Sequence, residues 1–390
     1  MSNYAKKTPE GTKDYLFEEC AVKTKIEKSL TELFKAGGYG RVITPALEYY
    51  DVYDRECAGI EQKNLYVTQD TSGALIAMRA DNTMPIARVV ATRLQNVEPP
   101  IRLYYNQQIF KRCKSFSGRS NEISQCGIEL IGAGGIRADL EILTMAFSAL
   151  EICNAPDYRI ELGTAAYFKS LMNKINADEE TKEKIILYVQ TKNCIALDEI
   201  LDTMPDTDAV RAVRRLPRLF GGAEVLDEAL GLYSDTEAKS AIDYLKNILQ
   251  CLKELKLDKK ISVDLGLVHR NNYYTGLLFR GYIEGSGLTV LSGGRYDNMI
   301  GEFGRNLKAT GFGVDINALS KATIKRGDIE KITVPEVLVF SQDGAEAKGM
   351  AYAQSLRSSG IVCEYSVAST LEEAKQYAES KGIKKVEVID

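Results

Sequence analysis

The first 130 residues combine one helical pattern with several strand-like patterns. Apolar residues between positions 15 and 36 recur at helical spacing, and the AGGYG that follows is typical of a helix end. The next stretch is rich in β-branched and aromatic residues, and Pro45 inside it favours an edge or interface strand over a central one. Residues 70–73 separate two apolar runs and predict a hairpin. Two further strand-like runs flank a polar loop from Lys111 to Glu122, so an antiparallel sheet is expected.

The periodicity changes near Asp139, where a helical pattern begins. After one more strand-like run, residues 166–257 are almost wholly helical in pattern. In the last helix of this block, Ser234 and Glu237 have the spacing of a capping box. A single apolar stripe on that helix consists of Ala238, Ala241, Leu245, Ile248, Leu249, Leu252 and Leu255. Strand-like runs then resume and continue to about residue 320, so a helical insertion divides the sheet of one domain, residues 1–320.

The C-terminal part has a different organisation. Residues 321–332 are rich in charge and predict a linker, and residues 333–390 alternate strand-like with helical runs. This alternation predicts a small parallel α/β unit. From Thr333 onward, six Lys and Arg stand against nine Asp and Glu, a net charge of −3. An acidic unit is poorly suited to holding the phosphates of a nucleic acid.

Composition narrows the class of protein. The chain has 390 residues, of which 45% are hydrophobic, so it can bury a full core over about two or three domains. Because no apolar run reaches roughly 18 residues and the N-terminus lacks the apolar core of a signal peptide, we expect a cytoplasmic protein without membrane spans. The net charge of −4 gives no general attraction to nucleic acid.

The eight cysteines and one histidine exclude several kinds of site. No CxxC occurs, and a single histidine leaves no Cys/His zinc cluster. We therefore expect reduced, buried thiols, and neither a metal nor a cofactor.

Several separated segments resemble, in order, the landmarks of the catalytic core of histidyl-tRNA synthetase. The resemblance spans roughly residues 8–320, and a truncated counterpart of the anticodon-binding domain follows. It implies an α+β fold of the class II aminoacyl-tRNA synthetase type, in which helices flank an antiparallel sheet and the Pro45 segment forms a dimer contact. The matching segments are TPEGTKDYLFEE, GGYGRVITPALE, AMRADNTMPIAR, IFKRCKSFSGRSNEISQCGIELIG, ADLEIL, NNYYTGLLFRGY, LSGGRYDNMIG and TGFGVDINAL.

The departures from the synthetase pattern concern catalysis. Active synthetases hold the phosphates of ATP and the carboxylate under attack with three arginines, because planar permanent cations stabilise the developing charge. This chain has Lys111, His269 and Ala318 at those places, and Cys113 where a glutamate is usual. A shift of register would bring Arg270 into play but would not restore the other two. Each lost donor typically costs about 3 kcal/mol, so the rate is expected to fall by more than about 10⁴-fold.

The resemblance also covers the residues that bind the amino acid in the synthetase. It implies that Asp81 lies opposite the α-amino group of histidine, and that Gln125, Glu129 and Tyr274 lie near the amino group and the imidazole. An ammonium favours a carboxylate, and an imidazole favours a carboxylate and a hydroxyl at its two nitrogens. Histidine binding is therefore expected to survive the loss of catalysis. The candidate histidine-binding residues are Asp81, Thr83, Arg119, Gln125, Glu129, Tyr273 and Tyr274.

This combination, with PEGTKD at the start and RADNTMPIAR, resembles the regulatory subunits of ATP phosphoribosyltransferase, which are non-catalytic paralogues of the synthetase. The resemblance implies a role in the first step of histidine biosynthesis and in feedback by histidine. It implies a short-form catalytic subunit as partner and a homodimeric core within a hetero-octamer. It makes tRNA an unlikely partner.

Each candidate residue also has an ordinary structural explanation. Asp81 could serve only as a helix N-cap, and Gln125 and Glu129, four residues apart on a strand, could be a plain inward-facing polar pair. At least one of the paired tyrosines could serve packing alone, and Arg119 could be a solvated charge. The SGGRYD segment could be no more than a tight turn with an internal arginine–aspartate contact.

Two other functions remain open from the sequence. One is an active histidyl-tRNA synthetase. The other is a free-standing histidine sensor or RNA-binding paralogue that has no phosphoribosyltransferase partner.

Overall fold

The computed structural model describes residues 4–55, 58–114, 118–155, 157–268, 273–284, 286–328 and 333–390. The chain divides into two compact units, Met1–Asp328 and Ile329–Asp390. His269 and Arg270 lie outside the described residues.

The first helix, α1 (Phe17–Ala36), confirms the helical pattern near the N-terminus. Its residues Val22, Ile26, Leu30 and Phe34 follow one another at intervals of four and are all buried. Spacing of four places them on one face, which packs into the main core of the first unit. The N–H of Tyr39 donates to the carbonyl of Phe34 and ends the helix.

The strands of the first unit build two sheets. They are β1 (Gly40–Arg41), β2 (Leu47–Tyr49), β3 (Val67–Gln69), β4 (Leu75–Met78), β5 (Ile101–Phe110), β6 (Glu122–Ile131), β7 (Tyr158–Thr164), β8 (Phe220–Gly221), β9 (Ile261–Asp264), β10 (Leu277–Ile283), β11 (Thr289–Arg295) and β12 (Ala309–Asp315).

Within the described residues, the large sheet has the order β1-β5-β6-β12-β11-β10-β7-β9-β8. The strands from β5 through β7 in this order pair antiparallel, which confirms the predicted sheet. Parallel pairs, β1 with β5 and β7 with β9, lie toward its two ends. The sheet as a whole is therefore mixed.

The small sheet has the order β2-β4-β3 and contains the predicted hairpin. The Asp70 carboxylate accepts hydrogen bonds from the backbone N–H groups of Ser72 and Ala74, at 2.8 and 3.0 Å. These bonds hold the turn between β3 and β4. Pro45 lies between β1 and β2 and belongs to neither strand, so the expected strand is broken at the proline.

The remaining helices of the first unit flank the large sheet, and six of them form the stretch between β7 and β9. They are α2 (Thr83–Thr92), α3 (Ile136–Ile152), α4 (Ala165–Met172), α5 (Glu179–Gln190), α6 (Cys194–Leu201), α7 (Asp208–Arg215), α8 (Glu224–Leu232), α9 (Thr236–Glu254) and α10 (Ile316–Lys325).

Helix α9 differs in two details from the sequence-based expectation. Its N-cap is Asp235, whose carboxylate accepts from the N–H of Ala238 at 2.7 Å. The capping box predicted for Ser234 and Glu237 is therefore wrong, because the helix begins one residue later than that box requires. Leu255 follows the helical residues and is 53% exposed, so it lies outside the buried stripe.

Helix α10 also corrects the predicted linker. It continues to Lys325, so residues 321–325 are helical rather than linking. Ala322 and Thr323 are buried in the helix, which explains why charge-rich sequence around them does not form an open connection.

The second unit is a three-stranded parallel sheet of order β14-β13-β15, as predicted. Leu338 and Phe340 pack on one face against Ala374 and Ala378, and Val339 packs on the other face. Its elements are β13 (Val337–Ser341), α11 (Glu346–Ser358), β14 (Cys363–Tyr365), α12 (Leu371–Lys381) and β15 (Lys385–Ile389).

The cysteines in the described residues are free thiols. Cys126, Cys153 and Cys363 are buried as expected, but Cys20 is exposed on α1, so the expectation of uniformly buried thiols is wrong. No helix in the described part of the chain has the length and apolar character needed to cross a membrane.

Candidate functional site

A pocket of about 110 Å³ lies where β6, β11 and β12 meet the start of α2. Six of the seven candidate residues line it, whereas Arg119 lines a larger neighbouring cavity instead. The six are Asp81, Thr83, Gln125, Glu129, Tyr273 and Tyr274. These six residues, which come from three distant stretches of the sequence, are therefore brought to one place by the fold.

Glu129 on β6 is the most deeply buried of these groups. Its Oε1 accepts a hydrogen bond of 2.8 Å from the Thr83 hydroxyl, and its Oε2 accepts one from the Tyr296 hydroxyl. Burial raises the pKa of Glu129 to about 8, and the two hydroxyl donors oppose that rise. The pocket thus presents a carboxyl group that a cationic ligand would favour in its ionised form.

Two glycines of β12 make room for the polar side chains of β6. Gly311 pairs with Glu129, and a Cβ at Gly311 would lie 1.9 Å from Oε2 of Glu129. A Cβ at Gly313 would lie 2.6 Å from Nε2 of Gln125. Any larger residue would meet these side chains, so the glycines allow β6 to project both into the pocket.

Asp81 lies between β4 and α2 and has two roles in the structure. Its Oδ1 accepts from the N–H of Met84 at 2.7 Å, as a helix cap would. Its Oδ2 accepts from the Tyr273 hydroxyl at 3.4 Å. Burial raises the pKa of Asp81, while the Met84 N–H and the charge of Lys111 act against this rise. Asp81 therefore satisfies an N–H in the first turn of α2, although the N-cap position itself is Asn82, and its second oxygen faces the pocket lining.

Gln125 is held by a neighbour on the loop before α2. The Asn82 amide donates to Oε1 of Gln125 at 2.9 Å, and Asn82 is fully buried. Gln125 and Glu129 do form an inward-facing polar pair on β6, and both line the cavity rather than only the protein interior.

Aromatic side chains close one side of the pocket. Tyr273 and Tyr274 stack edge to face with ring centroids 4.7 Å apart, and Tyr273 lies 6.2 Å from Tyr296 by the same measure. Both paired tyrosines line the pocket. Tyr105 and Tyr296 line it as well, and sequence analysis did not select them.

Tyr296 follows the buried Arg295 in the SGGRYD segment. Arg295 donates to Asp297 at 2.9 Å, the contact expected of a tight turn, but it also donates to the buried Asp139 of α3 at 2.6 Å. The Tyr244 hydroxyl of α9 donates to the same Asp139 at 2.6 Å. This buried ion pair fixes the end of β11 and so positions Tyr296. The sequence signal that could have found Tyr296 was its place directly after Arg295 in the SGGRYD segment.

The chemistry of the pocket suits a small cation. Among the described residues, its lining has the carboxyl groups of Asp81 and Glu129, hydroxyls of threonine and tyrosine, the amide of Gln125 and the ammonium group of Lys111. A carboxylate with neighbouring hydroxyls satisfies an ammonium or the N–H groups of a ring.

The neighbouring cavity has a volume of about 1000 Å³ and shares Lys111 and Tyr274 with the pocket. Lys111, Cys113 and Ala318, three of the positions that depart from the synthetase pattern, all line it. Arg119 and Arg280 line it too, so the cavity retains basic character.

Comparison with known proteins gives the family. Residues 11–319 match the family model described as histidyl-tRNA synthetase. The chain is 38% identical to an ATP phosphoribosyltransferase regulatory subunit of Clostridium kluyveri, over 98% of this chain and 99% of that protein. The corresponding protein of Clostridium novyi is 35% identical over 100% and 93%.

A solved structure from Bacillus halodurans, described as an ATP phosphoribosyltransferase regulatory subunit/histidyl-tRNA synthetase, is similar throughout. It superposes with a TM-score of 0.84 at 27% identity and covers 98% of both chains. The chain belongs to the family of ATP phosphoribosyltransferase regulatory subunits, within the histidyl-tRNA synthetase-like proteins.

Proposed function

We propose that this chain is a non-catalytic regulatory subunit that a short-form ATP phosphoribosyltransferase catalytic subunit requires for activity, and that it mediates inhibition by histidine. One observation carries the proposal: a pocket lined by the carboxyl groups of Asp81 and Glu129 lies beside a cavity lined by Lys111 and Ala318, at positions where the resemblance implies arginines in a synthetase.

Histidine fits the pocket by charge and by hydrogen bonding. Asp81 provides a carboxylate for the α-ammonium group, and Glu129 and the tyrosine hydroxyls provide partners for the two ring nitrogens. The assignment of Arg119 to the same ligand has less support, because this residue lines the larger cavity.

The loss of aminoacylation is explained by two residues that line the larger cavity, Lys111 and Ala318. Lysine cannot form the two parallel hydrogen bonds that a guanidinium makes to phosphate, and alanine makes none. The guanidinium groups of Arg119 and Arg280 also line this cavity, but they lie at positions other than those that the synthetase pattern assigns to the three arginines.

A homodimeric core is supported by an apolar surface around Pro45. Leu47 and Tyr49 alternate with the buried Glu48, so they share the outer face of β2, and Ile43 precedes them. These three residues are 50%, 59% and 69% exposed, respectively. Monomeric proteins rarely leave large apolar patches uncovered. A second copy of the chain is the occupant we propose for this face, within the hetero-octamer.

Feedback requires a difference in affinity. Histidine can inhibit only if it binds more tightly to the less active arrangement of the complex, and a coupling of about 1 to 3 kcal/mol is sufficient.

The first experiment is calorimetry of the purified chain with histidine, together with histidine-dependent pyrophosphate exchange on the same sample. We expect binding without exchange. Asp81→Asn should weaken histidine binding about 10- to 100-fold, because a hydrogen bond to a charged group contributes about 1.5 to 3 kcal/mol. Asp70→Asn, at a turn aspartate outside the pocket lining, is the matched control and should leave the affinity unchanged.

The same proteins are then mixed with the short-form catalytic subunit. Phosphoribosyl transfer should appear only in the mixture and should be inhibited by histidine, less so with Asp81→Asn. Exchange at ordinary synthetase rates would instead identify an active synthetase. If this chain does not change the phosphoribosyl transfer activity of the catalytic subunit, the result would favour a free-standing sensor.

A further inference from the structure

A chain of hydrogen bonds leads from the pocket to the proposed dimer face. The Asn82 amide donates to Gln125 at 2.9 Å, and the Gln107 amide donates to Oδ1 of Asn82 at 3.0 Å. The backbone N–H of Thr44 then donates to Oε1 of Gln107 at 2.8 Å. Asn82 and Thr44 are buried, and Gln107 is partly buried. Water therefore has little access to replace these bonds.

The direction of this chain is fixed at one end. A side-chain amide can be turned so that its oxygen and nitrogen exchange places, but a backbone N–H can only donate. Because Thr44 donates to Gln107, Gln107 must donate to Asn82, and Asn82 must donate to Gln125. Disturbing any amide along this path leaves a buried group without a partner, so the residues are expected to respond together.

A second connection runs parallel to the first. The buried guanidinium of Arg79, two residues before Asp81, donates to the carbonyl oxygens of Thr44 and Pro45 at 2.7 and 2.8 Å. It also donates to the carbonyl of Gln108 on β5, at 2.7 Å. Arg79 therefore holds the start of the loop that carries Asp81 against the segment around Pro45 and against β5.

We propose that Asn82 and Gln107 are positioning residues that couple ligand binding in the pocket to residues 42–49. Through this coupling, histidine binding and dimerisation strengthen each other. This inference rests on the proposed function for both the ligand and the dimer. A ligand that contacts Gln125 or Asp81 restrains the loop at Asn82. The path then restrains Thr44, which lies between the exposed residues Ile43 and Leu47 of the apolar face.

Coupling of this kind is reciprocal. If histidine strengthens dimerisation by a given factor, the dimer must bind histidine more tightly than the monomer by a corresponding factor. Coupling factors between distinct sites are typically about 5- to 150-fold.

The test is amide hydrogen exchange, by mass spectrometry, of peptides covering residues 42–49 in the presence and absence of saturating histidine. In the full-length wild-type chain, we expect histidine to slow exchange of this segment about 5-fold or more. Gln107→Met keeps the size of the side chain but removes its hydrogen bonds with Thr44, Asn82 and Arg79, and the histidine-dependent change should be lost. The matched control is Gln108→Met, since Gln108 is the next residue of β5 and its side chain is exposed.

A second readout is the dissociation constant of the dimer, measured by sedimentation on dilution. Histidine should lower it in the wild type and in Gln108→Met, and not in Gln107→Met. A purely structural role for Gln107 would speed exchange with or without ligand and leave the histidine-dependent difference intact, which would overturn the inference. Asn82→Ala provides a second interruption of the path if Gln107→Met fails to fold.

Calorimetry on the same samples separates the two proposals. Histidine binding with unchanged exchange at residues 42–49 overturns the coupling and leaves the proposed function standing. The absence of any histidine binding contradicts the proposed function itself, and the coupling with it.

Discussion

The Thr83 hydroxyl donates a 2.8 Å hydrogen bond to Oε1 of Glu129, joining the first residue of α2 to β6. Since the Asp81 carboxylate accepts from the N–H of Met84 in the first turn of the same helix, this bond brings two carboxyl groups into one pocket. Burial raises the pKa of both groups above ordinary values, and the charge of Asp81 adds to the rise at Glu129.

The raised pKa of Glu129 predicts a pH dependence of stability. The pKa is about 8 in the folded chain and near 4.5 for the ordinary group. Between these values the folded state retains the proton that the unfolded state releases. The contribution of Glu129 to stability is therefore fully present below pH 4.5 and is lost as pH rises through about 8. The total effect on the free energy of unfolding is on the order of 5 kcal/mol.

Glu129→Gln should remove this dependence. Because an amide does not ionise, the free energy of unfolding in urea, measured at pH 5, 7 and 9, should fall less with pH than in the wild type. Taking the difference between the two proteins cancels titrations elsewhere. Parallel curves for the two proteins would contradict the assignment of a buried, neutral carboxyl at this position.

Gly311→Ala should disrupt the pocket from the opposite strand. The new Cβ would lie 1.9 Å from Oε2 of Glu129, so either β12 or Glu129 must move. We expect a loss of about 1 to 3 kcal/mol in unfolding free energy and a loss of histidine binding.

The matched control is Gly231→Ala on α8, where no heavy atom lies within 4 Å of the added Cβ. It should stabilise the chain by about 0.5 to 1 kcal/mol, since alanine favours a helix over glycine. Equal effects of the two substitutions would show that the close approach of β12 to Glu129 is not required.

Asp139→Ala should destabilise the first unit strongly. Arg295 and Asp139 form a buried ion pair, with side chains 8% and 0% exposed, and removing the carboxylate leaves the guanidinium without its main partner. Breaking such a pair typically costs about 3 to 5 kcal/mol. Denaturation by urea measures this loss.

Lys246→Ala is the comparison for an ordinary ion pair. Lys246 pairs with the exposed Asp227 at 2.6 Å, and such surface pairs contribute about 0 to 1 kcal/mol. If Asp139→Ala costs no more than Lys246→Ala, the ion pair does not hold the end of β11.

The elements with strong periodicity were predictable from the sequence. The burial of Val22, Ile26, Leu30 and Phe34 follows directly from their spacing, and so does the alternation of strand and helix in the second unit. The cap of α9 was less certain, because Ser234 and Asp235 are both good caps and only the backbone geometry selects the second.

The candidate site was predictable only in part. Asp81, Gln125 and Glu129 came from the resemblance to a known family. Strand alternation alone would have placed Gln125 and Glu129 on one face of β6 without showing what lies opposite, and Asp81 lies outside the strands. Tyr105 and the path through Gln107 to Thr44 depend on which strands are neighbours. That information is set by long-range pairing rather than by local pattern.

The order of strands in the large sheet has a consequence during protein synthesis. Glu129 on β6 faces Gly311 on β12, and β12 follows the insertion and the whole of β10 and β11 in the chain. A polypeptide still emerging from the ribosome lacks one wall of the pocket until nearly 190 residues after Glu129 have been made. Under the proposed function, histidine can therefore engage only subunits in which β12 has been synthesised and paired with β6.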